Sequence, residues 1–128
     1  MNYPNSYISV IGSGAWGTTL ASLLSEKGYD VTLWAYEEDL AESINSTRIN
    51  NIYLPDILLS PNLKCTNDII EATANARYVL NAVPTQHIRS VFSKVKSYLR
   101  DETVLISASK GIEIGTLLTP SEILKEVI

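Results

Sequence analysis

The sequence predicts an α/β fold: a doubly wound, mostly parallel sheet of about five strands with helices on both faces. Three observations lead there. Strand-like and helix-like segments alternate along the 128 residues with no internal repeat or low-complexity linker, the pattern of consecutive βαβ units. The second strand-like segment, Asp30 to Ala35, is apolar on both sides, with Val31, Leu33 and Ala35 on one and Trp34 on the other beside Thr32. That is what helices covering both faces of a sheet require. The first strand-like segment, finally, runs into a helix-like one through three glycines at fixed spacing, Gly12-Ser13-Gly14-Ala15-Trp16-Gly17.

That glycine turn is the centre of the prediction. Tyr7 to Ile11 is short and β-branched, with Pro4 and Asn5 ahead of it as a turn. After the glycines, Trp16, Leu20, Leu23, Leu24 and Lys27 recur at helical spacing, and Gly28 stands where a helix C-cap glycine belongs. In a strand, turn and helix of this order, Gly12 permits the tight turn and Gly14 lets the backbone approach a pyrophosphate. Gly17 lets the helix lie close on the strand. The helix N-terminus adds free N–H groups and a partial positive charge. The expected ligand is a dinucleotide, held by Gly12, Ser13, Gly14, Ala15, Trp16 and Gly17.

Beyond the second strand, a helix is expected from about Glu37 to Thr47, with Glu37, Glu38 and Asp39 in its first turn. An acid about 20 positions past the glycines accepts from a ribose 2′-OH, whereas an arginine there suits a 2′-phosphate. Tyr36 and Glu37 hold that position, and no Lys or Arg follows before Arg48. NAD is therefore expected over NADP, although acids at a helix start also suit the helix dipole with no ligand present. From Ile49 to Asn67 the chain is an excursion punctuated by Asn50-Asn51, Pro55-Asp56 and Pro61-Asn62, in which Tyr53 and Leu54 are expected to pack beneath the sheet. Leu63 to Thr66 is a short third strand, and Asp68 caps a helix through Ala74.

Tyr78 to Val83 is the fourth strand and stops at Pro84. In a doubly wound sheet it lies beside the first, so its carboxyl end, with Val83 and Pro84, opens into the same crevice as the glycine turn. A single helix from Gln86 to Leu99 follows, burying Ile88, Val91, Phe92, Val95 and Leu99. His87 lies off that stripe with no second histidine or adjacent cysteine, which makes it a solvated surface residue. Thr103 to Ser107 is the fifth strand and delivers Lys110 to the ligand edge, where an ammonium reaches both the cofactor and an anionic substrate group. An amphipathic segment starts near Pro120.

Composition sets outer limits. A chain of 128 residues with 45% hydrophobic content fits one domain spanning residues 1–128. Net charge is −4, with no basic stripe, so nucleic acid is not an expected partner. No run of 18 apolar residues occurs, and Met1 to Ser6 lacks the basic-then-apolar order of a signal peptide, so no membrane partner and a cytoplasmic location are expected. Cys65 stands alone, which leaves no internal disulfide and no thiol-rich metal site. It is expected as a buried hydrophobe on a strand.

Gly12-Ser-Gly-Ala-Trp-Gly17, Asn51-Ile-Tyr-Leu-Pro55, Ala82-Val-Pro84 and Ser109-Lys-Gly-Ile-Glu113, in this order and spacing, resemble the Rossmann-type amino-terminal domain of NAD(P)-dependent glycerol-3-phosphate dehydrogenase. The resemblance spans nearly the whole chain. It implies that Ala15 and Trp16 contact the dinucleotide, that Tyr36 lies against its adenosine portion, and that Lys110 contacts both cofactor and glycerol 3-phosphate. The family often carries Arg or His where this chain has Tyr36.

The resemblance also implies hydride transfer between glycerol 3-phosphate and dihydroxyacetone phosphate, in the service of phospholipid synthesis. The catalytic lysine base of the family belongs to a helical domain that follows a further strand, so no catalytic base is expected within these residues. Two other readings stand beside it: a free-standing NAD-binding regulatory module, and the cofactor domain of a relative such as ketopantoate reductase. With no sixth strand, Val104-Leu105-Ile106 becomes an apolar edge and Ile123, Leu124, Val127 and Ile128 an uncovered face. A homo-oligomer is expected, most simply a two-fold dimer through strand five or the carboxyl-terminal helix.

Overall fold

A computed structural model describes residues 7–128; Pro4, Asn5 and the rest of the segment Met1 to Ser6 lie outside the described residues. Five parallel strands form one sheet in the order β3-β2-β1-β4-β5, the doubly wound arrangement expected. They are β1 (Tyr7–Ile11), β2 (Asp30–Trp34), β3 (Lys64–Thr66), β4 (Tyr78–Asn81) and β5 (Val104–Ser107). The helices are α1 (Ala15–Glu26), α2 (Glu38–Thr47), α3 (Ile69–Thr73), α4 (Ile88–Ser93) and α5 (Pro120–Val127). Register fixes where the site can be: Ile11 pairs with Trp34 on one side and Asn81 on the other, and Asn81 pairs with Ser107. The carboxyl ends of β1, β2, β4 and β5 therefore finish level.

Each face of the sheet carries its own apolar layer. Val10, Val31 and Leu33 pack with Ala21 of α1 and Leu40, Ala41 and Ile44 of α2. Ile11, Trp34 and Val79 pack on the other face with Ala72 of α3, Ile88, Val91 and Phe92 of α4 and Ile123 of α5. Both faces of β2 are thus covered, as its sequence requires. Phe92 is fully buried, and its truncation to alanine would cost about 3–5 kcal/mol. Cys65 is buried on β3, and burial pushes its thiol up to about 12.

The apolar residues at helical spacing on α1 are only partly its inner face, Leu24 alone of them packing against the core cluster. Trp16 and Leu23 are exposed, and the buried residues are Gly17, Thr18, Ala21, Ser22 and Ser25. The reason is proximity, since a β-carbon on Gly17 would sit 1.9 Å from the Gly12 carbonyl oxygen. A helix that close to its strand accommodates only small residues. Ser22 and Ser25 then bond the backbone N–H and hydroxyl of Ser60, fastening the excursion to the helix.

Other elements depart from expectation. β4 ends at Asn81 rather than Val83, because the buried Asn81 side chain accepts from the Val83 N–H at 3.0 Å and turns the chain. The single helix expected over Gln86 to Leu99 is a 3-10 turn (Thr85–His87), then α4, then a second 3-10 turn (Lys96–Tyr98). Lys94 and Val95 donate to carbonyls only three residues back, which tightens the helix out of α geometry. Its apolar stripe survives, with Ile88, Val91, Phe92 and Val95 buried. Asp68 caps α3 as expected, accepting from the N–H groups of Ile70 and Glu71.

The carboxyl-terminal face is also not as expected. Ile123 and Leu124 are buried in the chain's own core, leaving Ile128 exposed. A capping box of Thr119 and Glu122, with Pro120 in the first turn, starts α5. Arg89 of α4 then joins two segments, donating from Nε and Nη2 to the Glu113 carboxylate at 3.1 and 2.9 Å and from Nη1 to Glu126 at 2.8 Å. Arg89 holds the Glu113 carboxyl below the usual carboxylate range, assisted by the Thr116 hydroxyl.

Candidate functional site

The turn from β1 into α1 is built around Gly12, whose φ of +116° is open to glycine and strained for other residues. Its α-carbon is pressed against the chain just past β4, so that a β-carbon there would meet the Ala82 carbonyl oxygen at 2.6 Å. Gly14 differs: its φ is −64°, and a β-carbon on it would find no atom within 4 Å. Gly12 and Gly17 are therefore closed in by protein, and Gly14 alone faces open space.

Gly14 is also the N-cap of α1. No side chain caps this end, and no acid stands in its first turn. The first amides of a helix have no intrahelical acceptor, and elsewhere proteins cover them with Ser, Asp or Glu side chains. Asp68 covers α3 and Thr119 covers α5 in that way. The start of α1 is left as an uncovered, partially positive end.

It opens into a groove of about 530 Å³ lined by Gly14, Ala15, Trp16, Gly17, Ala82, Val83, Pro84, Ala108, Ser109 and Lys110. The structure thus brings Val83, Pro84 and Lys110 to the glycine turn, as the sequence implied. Gly12 and Ser13 lie beneath it, buried.

Three side chains fix the far wall. Ser109 Oγ donates to the Val83 carbonyl at 2.6 Å, joining the ends of β5 and β4. Thr85 Oγ1 donates to the Lys110 carbonyl. Gln86 donates to the Ile112 carbonyl and accepts from the Ile114 N–H, both at 2.9 Å. Across the groove, the Trp16 indole N–H donates to the Ala108 carbonyl at 3.2 Å, tying the first turn of α1 to the end of β5. Lys110 itself is exposed. His87 is exposed too, and among the described residues no group of His, Cys, Asp and Glu is placed to hold a metal ion.

Tyr36 and Glu37 stand outside the groove lining, at the carboxyl end of β2. Tyr36 is exposed, with its ring edge-on to Trp34 at 6.3 Å between centroids. Glu37 is the N-cap of α2, but its side chain does not cap the helix. Its carboxylate instead accepts from the Tyr53 hydroxyl at 3.1 Å. Tyr53 was expected beneath the sheet; only Leu54 packs there, and the Tyr53 ring is exposed. Arg48, the nearest following cation, spends its guanidinium on the carbonyls of Asn45, Ser60 and Leu63.

Asn50 is the residue that sequence reasoning missed. It is fully buried, and its amide donates to the Ser13 carbonyl and the Thr18 hydroxyl, both at 2.8 Å. Its side-chain oxygen accepts from the N–H groups of Ile52 and Tyr53 at 3.3 and 3.0 Å. One side chain thereby joins the glycine turn to the Tyr53 segment. An asparagine in an Asn-Asn pair reads as ordinary turn chemistry, so nothing in the sequence signals this burial.

The family described as NAD-dependent glycerol-3-phosphate dehydrogenase N-terminus matches residues 7–128. The glycerol-3-phosphate dehydrogenase [NAD(P)+] of Geobacter sp. (strain M21) is 49% identical over 121 residues, which are 94% of this chain and 36% of the relative. The chain therefore spans little more than a third of that relative's length. Among solved structures, glycerol-3-phosphate dehydrogenase from Coxiella burnetii superposes with a TM-score of 0.87 at 30% identity, covering 95% of this chain and 37% of that one. A ketopantoate reductase from Ralstonia eutropha JMP134 gives a TM-score of 0.74 at 18% identity, covering 95% and 38%, which is a likeness of fold alone. On the match across residues 7–128, the chain belongs to the family of NAD-dependent glycerol-3-phosphate dehydrogenase amino-terminal domains.

Proposed function

We propose that residues 1–128 are one dinucleotide-binding domain, serving a dehydrogenase that interconverts glycerol 3-phosphate and dihydroxyacetone phosphate. The observation that carries this reading is the uncapped N-terminus of α1, opening at Gly14 onto the groove that Lys110 also lines. A pyrophosphate suits such an end, because it brings negative charge and acceptors to donors that no side chain of the described residues caps. When bound, NAD(P) supplies a nicotinamide ring that takes up or gives a hydride. The chain's own contribution is binding and orientation. The N–H groups of Ala15, Trp16 and Gly17 hold the phosphates, and Gly12 and Ser13 shape the turn beneath them. Val83 and Pro84 form the wall at the end of β4, where the ring side of the cofactor is accommodated. The Lys110 ammonium neutralises the substrate phosphate and keeps it beside the cofactor.

Tyr36 lies against the adenosine portion, and Glu37 accepts from the ribose 2′-OH. NAD is preferred over NADP, since a 2′-phosphate would meet Glu37 with Arg48 already committed to three carbonyls. The proton of the substrate hydroxyl needs a general base. Lys110 carries the one ionisable side chain among the described groove residues and is assigned to the phosphate, so the base is proposed to come from the part of the relatives' length that this chain does not span. The setting is cytoplasmic, feeding glycerophospholipid synthesis. Among the described residues no helix is long and apolar enough to cross a membrane.

Titration of the isotopically labelled chain with NAD and NADP tests the reading. Shifts should concentrate in the amides of residues 12–17 and at Lys110, with no glycerol 3-phosphate oxidation by the chain alone. Absence of shifts at millimolar dinucleotide would overturn it.

A further inference from the structure

We propose that Tyr53 is a specificity-determining positioning residue, which sets the choice between NAD and NADP by holding the Glu37 carboxylate in place. The inference rests on the reading that Glu37 meets the adenosine ribose. Glu37 sits at the helix start with a side chain that makes no cap, so nothing in α2 itself fixes where its charge points. The one side-chain partner of its carboxylate among the described residues is the Tyr53 hydroxyl at 3.1 Å. Tyr53 is presented from a segment that could otherwise drift, but its backbone N–H is held by the buried Asn50 side chain, whose amide holds the Ser13 carbonyl. Asn50 thus bonds both the phosphate turn and the Tyr53 backbone, and the Tyr53 side chain carries the connection on to the acid at the end of β2. Its effect is to place a negative charge at a fixed distance from the phosphate cradle, which is the quantity that distinguishes a 2′-hydroxyl from a 2′-phosphate.

The bond has a second consequence. Tyr53 keeps its proton to higher pH than an ordinary phenol because it donates to Glu37 and faces its charge. The Tyr53 hydroxyl therefore stays a donor to the carboxylate. The remaining carboxylate lone pairs stay free to accept from a ribose hydroxyl.

The probes are NAD and NADP themselves, titrated calorimetrically against the parent chain, Tyr53→Phe, Glu37→Gln and the double variant. The two dinucleotides share every group except the 2′-phosphate, so a variant that merely loosens the fold weakens both by one factor and leaves their ratio alone. Tyr53→Phe should cut the preference for NAD about threefold to tenfold, the span of one ordinary net hydrogen bond, since the site is exposed to water. In the Glu37→Gln background the same substitution should change the ratio less than twofold. An unchanged ratio in Tyr53→Phe overturns the proposal while leaving dinucleotide binding intact. A parent chain that binds neither dinucleotide overturns the binding reading, and this inference with it. Independently of any ligand, NMR titration of ring-labelled tyrosine should show Tyr53 returning to the ordinary phenol range in Glu37→Gln; no change there contradicts the pairing on which the proposal stands.

Discussion

Replacing Gly14 and Gly17 in turn by alanine separates folding from binding within one turn of helix. At Gly17, alanine would gain about 1 kcal/mol of helix propensity. Against that, its β-carbon would lie 1.9 Å from the Gly12 oxygen, 3.0 Å from the Gly12 carbonyl carbon and 3.1 Å from the Ala82 β-carbon. The first two are backbone atoms and cannot swing aside, so α1 must move off the sheet, an overpacking cost at or beyond the upper end of about 1–3 kcal/mol. The clash wins, and a net loss of about 2 kcal/mol lowers the melting temperature by about 6–10 °C in a domain this size. At Gly14 no atom lies within 4 Å of the new β-carbon and φ is already −64°. Alanine there loses somewhat under 1 kcal/mol as an N-cap and recovers about 0.4–1 kcal/mol from the stiffer unfolded chain, so stability stays within about 0.5 kcal/mol. The new methyl group occupies the space over the uncapped amides, and NAD affinity should fall at least tenfold. Circular dichroism melts and calorimetric titration read the two effects separately. Unchanged NAD affinity in Gly14→Ala, or a parental melting temperature in Gly17→Ala, would refute the assignment of roles.

Other substitutions address the rest of the molecule. The hydroxyl of Ser9 in β1 is buried with no hydrogen-bond partner among the described residues, so Ser9→Ala should stabilise the chain by about 1 kcal/mol in urea denaturation; destabilisation would mean that the hydroxyl is satisfied in solution. Cys65, with its thiol at about 12 against an ordinary 9.0, should hardly react with iodoacetamide at pH 8 until denaturant is added. Because the folded thiol holds its proton more tightly than the unfolded one, the stability this gives is intact below pH 9 and is lost as pH rises towards 12; pH-dependent urea midpoints that stay level from 9 to 12 would contradict it. β5 ends the sheet with Val104 and Ile106 exposed, an unblunted apolar edge. Sedimentation should show a dimer at high micromolar concentration and a monomer for Ile106→Lys; a monomeric parent would refute edge pairing. The route through α5 has lost its basis, since Ile123 and Leu124 are already buried.

What the sequence by itself determined is whatever depends on neighbours along the chain. The alternation of strand and helix, the glycine turn and the stop at Pro84 follow from local periodicity and from residues with narrow backbone preferences, and the doubly wound pattern they spell places strand four beside strand one. Short-range patterns of that kind also placed Val83, Pro84 and Lys110 at one crevice, because a doubly wound sheet lines up its carboxyl ends. Tertiary structure alone decided which face of α1 is buried. Leu20, Leu23 and Leu24 spell an apolar stripe, yet the approach of Gly17 to Gly12 turns the small residues inward. It also decided the partners of polar groups. Asn50 looks like a turn residue and is a buried connector, and Tyr53 looks like a core aromatic and holds Glu37. A hydrogen bond between residues 16 or 37 positions apart leaves no periodic trace. Its existence depends on distances that only the packed sheet and its two helical layers create.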